Sequence, residues 1–238
     1  EIMAFIHGKD SKVFINHSDF SSFFNSVDVA RTADVAESTT FGNASKTYIV
    51  GNKDGTFTVT GFFDATADAT LQPLLGGADM LIAMGIDGLD ATDGCSFAQG
   101  NIMNYGVSSP VGDIVATSLD IQADSGVFNG IVLENATITA TGGGTARDNT
   151  TSTGNGGGAF LIVSSASGTS PTLDAKITHS ADNVTYADLV TFTQATGVTS
   201  EVKTVAKGTT VNRYLKVQYT VGGSTPSFGV IVGFGRNN

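Results

Sequence analysis

Apolar and polar residues alternate with a period of two along much of this chain, the signature of strands with one wet face. Lys12-Val13-Phe14-Ile15-Asn16 predicts a short strand followed by a turn at His17-Ser18-Asp19. Residues 28–35 alternate as Asp-Val-Ala-Arg-Thr-Ala-Asp-Val, and 56–60 as Thr-Phe-Thr-Val-Thr. Between them lie the polar stretch Glu37-Ser38-Thr39-Thr40-Phe41-Gly42-Asn43 and a short apolar run, Tyr48-Ile49-Val50. Gly51 and Asp54-Gly55 separate that run from 56–60, and Asp-Gly between alternating segments predicts a hairpin turn. Further strands are expected at 80–86, 96–105, 114–122 and 130–141, the last two joined around Asp124-Ser125-Gly126. The remainder predicts strands at 159–164, 172–179, 187–193, 200–205, 214–221 and 227–234. Their turns fall at Gly168-Thr169-Ser170-Pro171, Ala181-Asp182-Asn183, Gly197, Lys207-Gly208 and Gly222-Gly223-Ser224.

One segment follows a helical period. Asp64 can cap a helix running to Leu75, with Leu71, Leu74 and Leu75 on one face, Pro73 shortening or kinking it and Gly76-Gly77 ending it.

Composition agrees with the strands. Thr and Val, whose branched Cβ suits a pleated surface, are abundant, and 30 glycines punctuate turns in the 238-residue chain. The fold class is therefore all-β, with a barrel or sandwich in each half. A domain boundary is expected where Gly142-Gly143-Gly144 and Gly156-Gly157-Gly158 enclose a polar stretch that can bury no face. This divides the chain into a β domain over 1–141, a linker over 142–158 and a β-sandwich domain over 159–238.

Charge changes sign at the same place. Residues 1–145 hold 17 acids and five bases, whereas 146–238 hold five acids and seven bases. Gripping nucleic acid requires a basic footprint, and the first half is the reverse. No apolar run approaches a membrane span of ~18 residues. Met3-Ala4-Phe5-Ile6 reads as a natural start, and with no charged-then-apolar leader the chain is expected to be made in the cytoplasm.

The chain offers little chemistry. His7, His17 and His179 share no ligand spacing with the single cysteine, Cys95, which reads as a small core residue. Asp87, Asp90 and Asp93 recur every third residue, not at the alternate positions of a calcium loop, and read as an acidic turn. The glycine-rich stretch lacks the Lys-Ser/Thr of a phosphate loop, and no nucleophile elbow or spaced carboxylate pair stands out. The expectation is a protein without an enzymatic site, metal or cofactor.

A longer pattern carries a resemblance. Val27-Asp28-Val29 is followed by Glu37-Ser38-Thr39-Thr40-Phe41-Gly42, then Lys46-Thr47-Tyr48-Ile49-Val50-Gly51. Next come Asp54-Gly55-Thr56-Phe57-Thr58-Val59-Thr60-Gly61-Phe62-Phe63-Asp64, a short helix ending Leu74-Leu75-Gly76, and Val107-Ser108-Ser109-Pro110-Val111-Gly112-Asp113. Over residues 3–141 this order resembles the tail tube (major tail) proteins of long-tailed bacteriophages. The second half resembles the β-sandwich domains appended to phage structural proteins.

The resemblance implies a virion component assembled in the host cytoplasm, whose copies form stacked, hexameric rings with an inner β-barrel and an outer helix. Its partners would be further copies of itself, other tail proteins, and genomic DNA passing without specific binding through an acidic lumen. The connection from Asp34 to Thr56 would be the arm that reaches a neighbour, with Glu37, Thr39, Phe41 and Tyr48 as its oligomerisation residues. The second half would decorate the outside and could touch host surface glycans. Two other readings stay open: a capsid decoration protein, and a carbohydrate-binding adhesive module in which Tyr186, Tyr214 and Tyr219 supply stacking faces.

Overall fold

The computed structural model describes residues 8–237, so Met3-Ala4-Phe5-Ile6 and His7 lie outside the described residues. Among the described residues the chain is all-β apart from one short α-helix and two 3-10 turns. In chain order the strands are β1 (Lys12–Ile15), β2 (Ser18–Asp19), β3 (Phe24–Glu37), β4 (Tyr48–Phe62), β5 (Met80–Gly85), β6 (Gly94–Ser108) and β7 (Ala116–Ala123). They continue as β8 (Phe128–Ile138), β9 (Gly142–Gly143), β10 (Arg147–Asp148), β11 (Gly157–Ser180), β12 (Ala187–Thr191), β13 (Thr199–Val205) and β14 (Tyr214–Arg236). Helix α1 (Ala65–Leu71) lies between β4 and β5.

These elements form two compact units. One, called here the hairpin unit, comprises Ser22–Met80 and Ala98–Val127; the other, the ribbon unit, gathers the chain up to Ser21 with Leu81–Phe97 and Phe128–Asn238.

In the hairpin unit the sheet order is β3-β4-β7-β6, all antiparallel. Phe57, Val59, Leu119, Ile121 and Ile102 are fully buried, while the residues alternating with them face solvent. Helix α1 starts where predicted, because the Asp64 carboxylate accepts the N–H groups of Thr66 (2.8 Å) and Ala67 (3.1 Å). Such a cap is worth about 1 kcal/mol. The helix buries Ala67 and Leu71 and then tightens into a 3-10 turn at Gln72–Leu74, forced by Pro73. That change of pitch takes Leu75 off the buried face, where the sequence had placed it, and leaves it 46% exposed.

The hairpin predicted at Asp54-Gly55 does not form. β4 runs unbroken through Gly51, Asp54 and Gly55 to Phe62, and the chain reverses instead between Glu37 and Tyr48. Gly55 serves close approach, not turning: a Cβ there would come within 2.4 Å of Val127 Cγ2. Asp54 lies flat on the sheet, its carboxylate accepting Gln122 Nε2–H at 2.6 Å.

The ribbon unit is built on one long ladder, β11 against β14, from Gly157↔Arg236 to Ser180↔Tyr214. The predicted turns at 168–171 and 222–224 are not chain reversals. They sit opposite each other, at bulges where Gly168 (φ 119°), Ser170 (φ 49°), Gly223 (φ 94°) and Thr225 (φ 48°) take left-handed conformations. Both strands bend there together, so the ribbon folds back on itself. Its first half is flanked by β13 and β8, its second half by β12, β9 and β10. The result is a sandwich whose core takes Leu161, Val163 and Val232 from one layer and Ala175, Ile177 and Val217 from the other.

The other side of the first layer is also covered. Phe160, Ile162 and Ile231 pack there with Phe14, Leu81, Ala83, Cys95 and Phe97. The boundary expected over 142–158 is therefore not where the compact units divide: residues 12–15 and 81–97 share a core with the C-terminal strands. The glycine-rich stretch is not free either. β9 and β10 pair with β14, at Gly142↔Tyr219 and Asp148↔Tyr214. Small residues allow that stretch to lie close on a sheet edge, which composition alone reads as slack.

Cys95 is buried as expected, and burial, reinforced by Asp93, pushes its thiol pKa up to about 12. A disulfide reagent at pH 8 should label Cys95 only as fast as the protein unfolds, and at once in denaturant. Rapid labelling of native protein would contradict this packing.

Candidate assembly surface

The hairpin of β3 and β4 is the most exposed part of the hairpin unit. Pairing runs from Phe24↔Gly61 out to Glu37↔Tyr48 with a bulge near Ala33. Beyond Asp34 both faces carry bare apolar side chains: Val35 (61% exposed) pairs with Val50 (66%), and Ile49 (63%) points to the opposite face. Monomeric proteins rarely leave such a cluster in water. β3 adds a second feature. From Ser26 to Glu37 its ladder partners all lie in β4, so among the described residues that stretch of its other edge is open. A long open edge is a template for pairing with another chain.

The four expected arm residues divide by role. Glu37 accepts Lys46 Nζ at 2.9 Å, and Thr39 Oγ1 accepts the Thr47 N–H at 3.1 Å, so both shape the tip from within. Phe41 is wholly exposed and Tyr48 is 54% exposed; these two are free to meet a partner. The connection from Asp34 to Thr56 is thus built as a two-stranded hairpin with a tip at 38–47.

The solvent face of the same sheet has a narrow chemistry. Register aligns Asp28 with Thr58, Thr58 with Asp120, and Asp120 with Asn104. Thr58 Oγ1–H donates to Asp120 Oδ1 at 2.9 Å, and Asn104 Nδ2–H to Asp120 Oδ2 at 3.0 Å. One row away Gln122 reaches Asp54, and Gln99 and Asn101 both donate to Asp79 (3.0 and 2.8 Å). The face is tiled with carboxylates, amides and hydroxyls. It bears no lysine or arginine, because Arg31 and Lys53 sit at alternate positions of β3 and β4 that face the other way. The unit as a whole holds ten acids against three bases, a net charge of −7 out of the chain's −10. Sequence reasoning found the acidity; it missed that strand register concentrates acids and amides on one face and excludes cations from it.

No protein-family model matches the chain, and no curated protein matches it in sequence. Solved structures do align with it. The Dit (gp 19.1) protein of phage SPP1, described as a paradigm of the hub adsorption apparatus in phages infecting Gram-positive bacteria, aligns over 96% of this chain and 99% of its own. It shares 11% identity at a TM-score of 0.40. A chain from the virion of a native gene transfer agent particle covers 51% of this chain and 95% of its own, at 11% identity and a TM-score of 0.41. A chain of the phage p2 baseplate in its activated conformation covers 96% and 98%, at 8% identity and a TM-score of 0.34. Likeness at this level says nothing of what this chain does.

The remaining expected residues are engaged locally. Asp93 accepts the Asp90 N–H at 2.8 Å, and Asp90 accepts Asn135 Nδ2–H at 3.2 Å, so the acidic repeat is a self-bonded loop. His179 Nδ1 accepts the Asn212 N–H at 3.2 Å, and burial followed by the nearby Arg236 lowers its pKa. Among the described residues no three His, Cys, Asp or Glu side chains converge as a metal site would require, and no helix is long and apolar enough to cross a membrane. The tyrosines have neighbours too. Arg213 lies over the Tyr214 ring at 4.8 Å and Lys216 over Tyr186 at 5.9 Å, while Tyr219 packs against the sandwich core. A cation already covers one face of each of the first two rings.

Proposed function

We propose that this chain is a structural subunit of a phage tail, of the tube-forming kind, and that it carries no turnover chemistry. The observation that carries the reading is the cation-free face of carboxylates and amides on a sheet whose edge strand, from Ser26 to Glu37, is open among the described residues. Edge-to-edge pairing of copies through β3 would close such sheets into a ring and remove the exposed edge. The face would then line a passage in which every nearby charge repels phosphate. Screening limits that repulsion to about 8 Å at physiological salt, so it acts only on a polyanion held close, as in a narrow bore. Neutral amides and hydroxyls between the acids exchange hydrogen bonds readily with water and give DNA no fixed point of attachment. The bare apolar arm, with Phe41 and Tyr48 at its end, would reach the adjoining copy or the next ring. The sequence resemblance to tail tube proteins over residues 3–141 supports the same reading.

Negative-stain electron microscopy and analytical ultracentrifugation of the purified protein test it. Wild type is expected to form rings or tubes. The double variant Phe41→Asp and Ile49→Asp is expected to stay folded, since both residues are exposed, yet to sediment as a monomer. A wild type that stays monomeric at high concentration would sink the proposal, as would a variant that assembles unchanged.

A further inference from the structure

In the ribbon unit a cavity of about 220 Å³ is lined by Asn129, Arg147, Asn149, Thr153, Leu215 and Arg236 among others. At ~30 Å³ per water that is room for about seven waters, too little for a drug-sized ligand but enough for a small hydrated ion. Two arginines in one small cavity of an acidic protein call for an explanation, and they differ in how they are satisfied.

Arg236 is spent. Its Nη1–H donates to Val211 O (2.7 Å) and Thr153 Oγ1 (3.2 Å), and its Nη2–H to Asn212 O (2.6 Å) and Arg213 O (3.3 Å). It acts as a rigid brace and leaves its charge behind. Arg147 is the opposite case. Its Nε is buried and has no hydrogen-bond partner, and among the described residues its guanidinium makes no other hydrogen bond or ion pair. The nearest acid acting on it is Glu134, whose pKa burial raises and Arg147 partly restores, yet no contact within 4.0 Å joins the two. The neighbouring Asp148 is committed elsewhere, in a two-pronged pair with Arg213 at 2.6 and 2.5 Å. A buried guanidinium donor without an acceptor is destabilising, and arginine's planar fork matches oxyanions best.

We infer that this cavity is a binding site for a small oxyanion, a phosphate or a carboxylate, held by the free fork of Arg147 beside the fixed charge of Arg236. Asn129, Asn149 and Thr153 supply the polar rim that completes its hydrogen bonds. The ion ties β10 to the end of β14, so its binding stabilises the edge of the sandwich.

Thermal unfolding of the full-length protein in a buffer free of other oxyanions tests this. Inorganic phosphate and acetate are titrated in separate arms at ionic strength held constant with potassium chloride. The melting temperature of wild type should rise and saturate with at least one of the two; phosphate alone marks a tetrahedral ion, and acetate alone a carboxylate such as a partner's side chain. Arg147→Met should weaken that binding about 10- to 100-fold, the loss of a charge-assisted fork. The exposed control Lys207→Met should bind as wild type does. If Arg147→Met fails to fold, the ¹⁵N-resolved Arg147 Nε–H resonance of wild type decides instead, since it must shift on adding the ion. A melting temperature indifferent to both ions, an unmoved Nε–H signal, or an equal response in Arg147→Met overturns the inference. None of these readouts depends on ring formation.

Discussion

Replacing Phe160 with alanine is expected to destabilise the protein by about 3–5 kcal/mol, a large part of the ~5–15 kcal/mol that holds a typical domain folded. Phe160 is fully buried on the side of β11 opposite the sandwich core, with its ring 4.8 Å from that of Phe97. Gly233 also lies against it, and a Cβ there would come within 2.2 Å of the ring. On that side the phenyl group lies against bare backbone, which offers no side chain to fill the space it would leave. A cavity that collapses only partly on the glycine side keeps the cost within that range. Tryptophan is absent, so urea unfolding is best followed by far-UV circular dichroism. Val184→Ala, at a site 81% exposed, serves as the comparison and should stay within ~0.5 kcal/mol of wild type. A loss below ~1 kcal/mol for Phe160→Ala would mean that the two faces of β11 are not both packed.

The second large effect concerns charge. Asp28, Asp54 and Asp120 share the cation-free face, and changing all three to lysine takes the hairpin unit from −7 to about −1 while turning that face basic. Wild type should show no measurable affinity for duplex DNA. The triple variant should acquire a sequence-independent affinity that falls about 40-fold between 50 and 200 mM salt, as three phosphate contacts with a slope of roughly −0.9 each require. Fluorescence anisotropy with a labelled duplex reads both. Binding by wild type at low salt would contradict the proposal that this face lets DNA pass without attachment. A triple variant that gains nothing would show that the face is closed to DNA.

The period of two made the strands legible, and with them the fold class. Asp64 announced its helix because a capping carboxylate acts over three residues, within the reach of local reasoning. What failed was everything decided by a distant partner. Asp54-Gly55 carries the chemistry of a turn, but Gln122 and Val127, almost seventy residues on, hold it flat in a strand. Gly168 and Gly223 each look like the end of a strand, and only their position across the ladder shows that they bend two strands together. The glycine-rich stretch hid its pairing with β14 for the same reason. At the candidate surface the excess of acid could be counted. The segregation of acid from base could not, because it depends on which residues register sets side by side.

The ladder of β14 also sets the order in which this protein can be completed on the ribosome. β8, β9, β10 and β11 all draw backbone partners from residues 214–236, which are made after them. Until those residues emerge, these four strands wait with unpaired edges, and a nascent chain stopped short of them has no sandwich to close. Truncated products should therefore be cleared by proteolysis before they can enter an assembly, a quality check that follows from strand order alone.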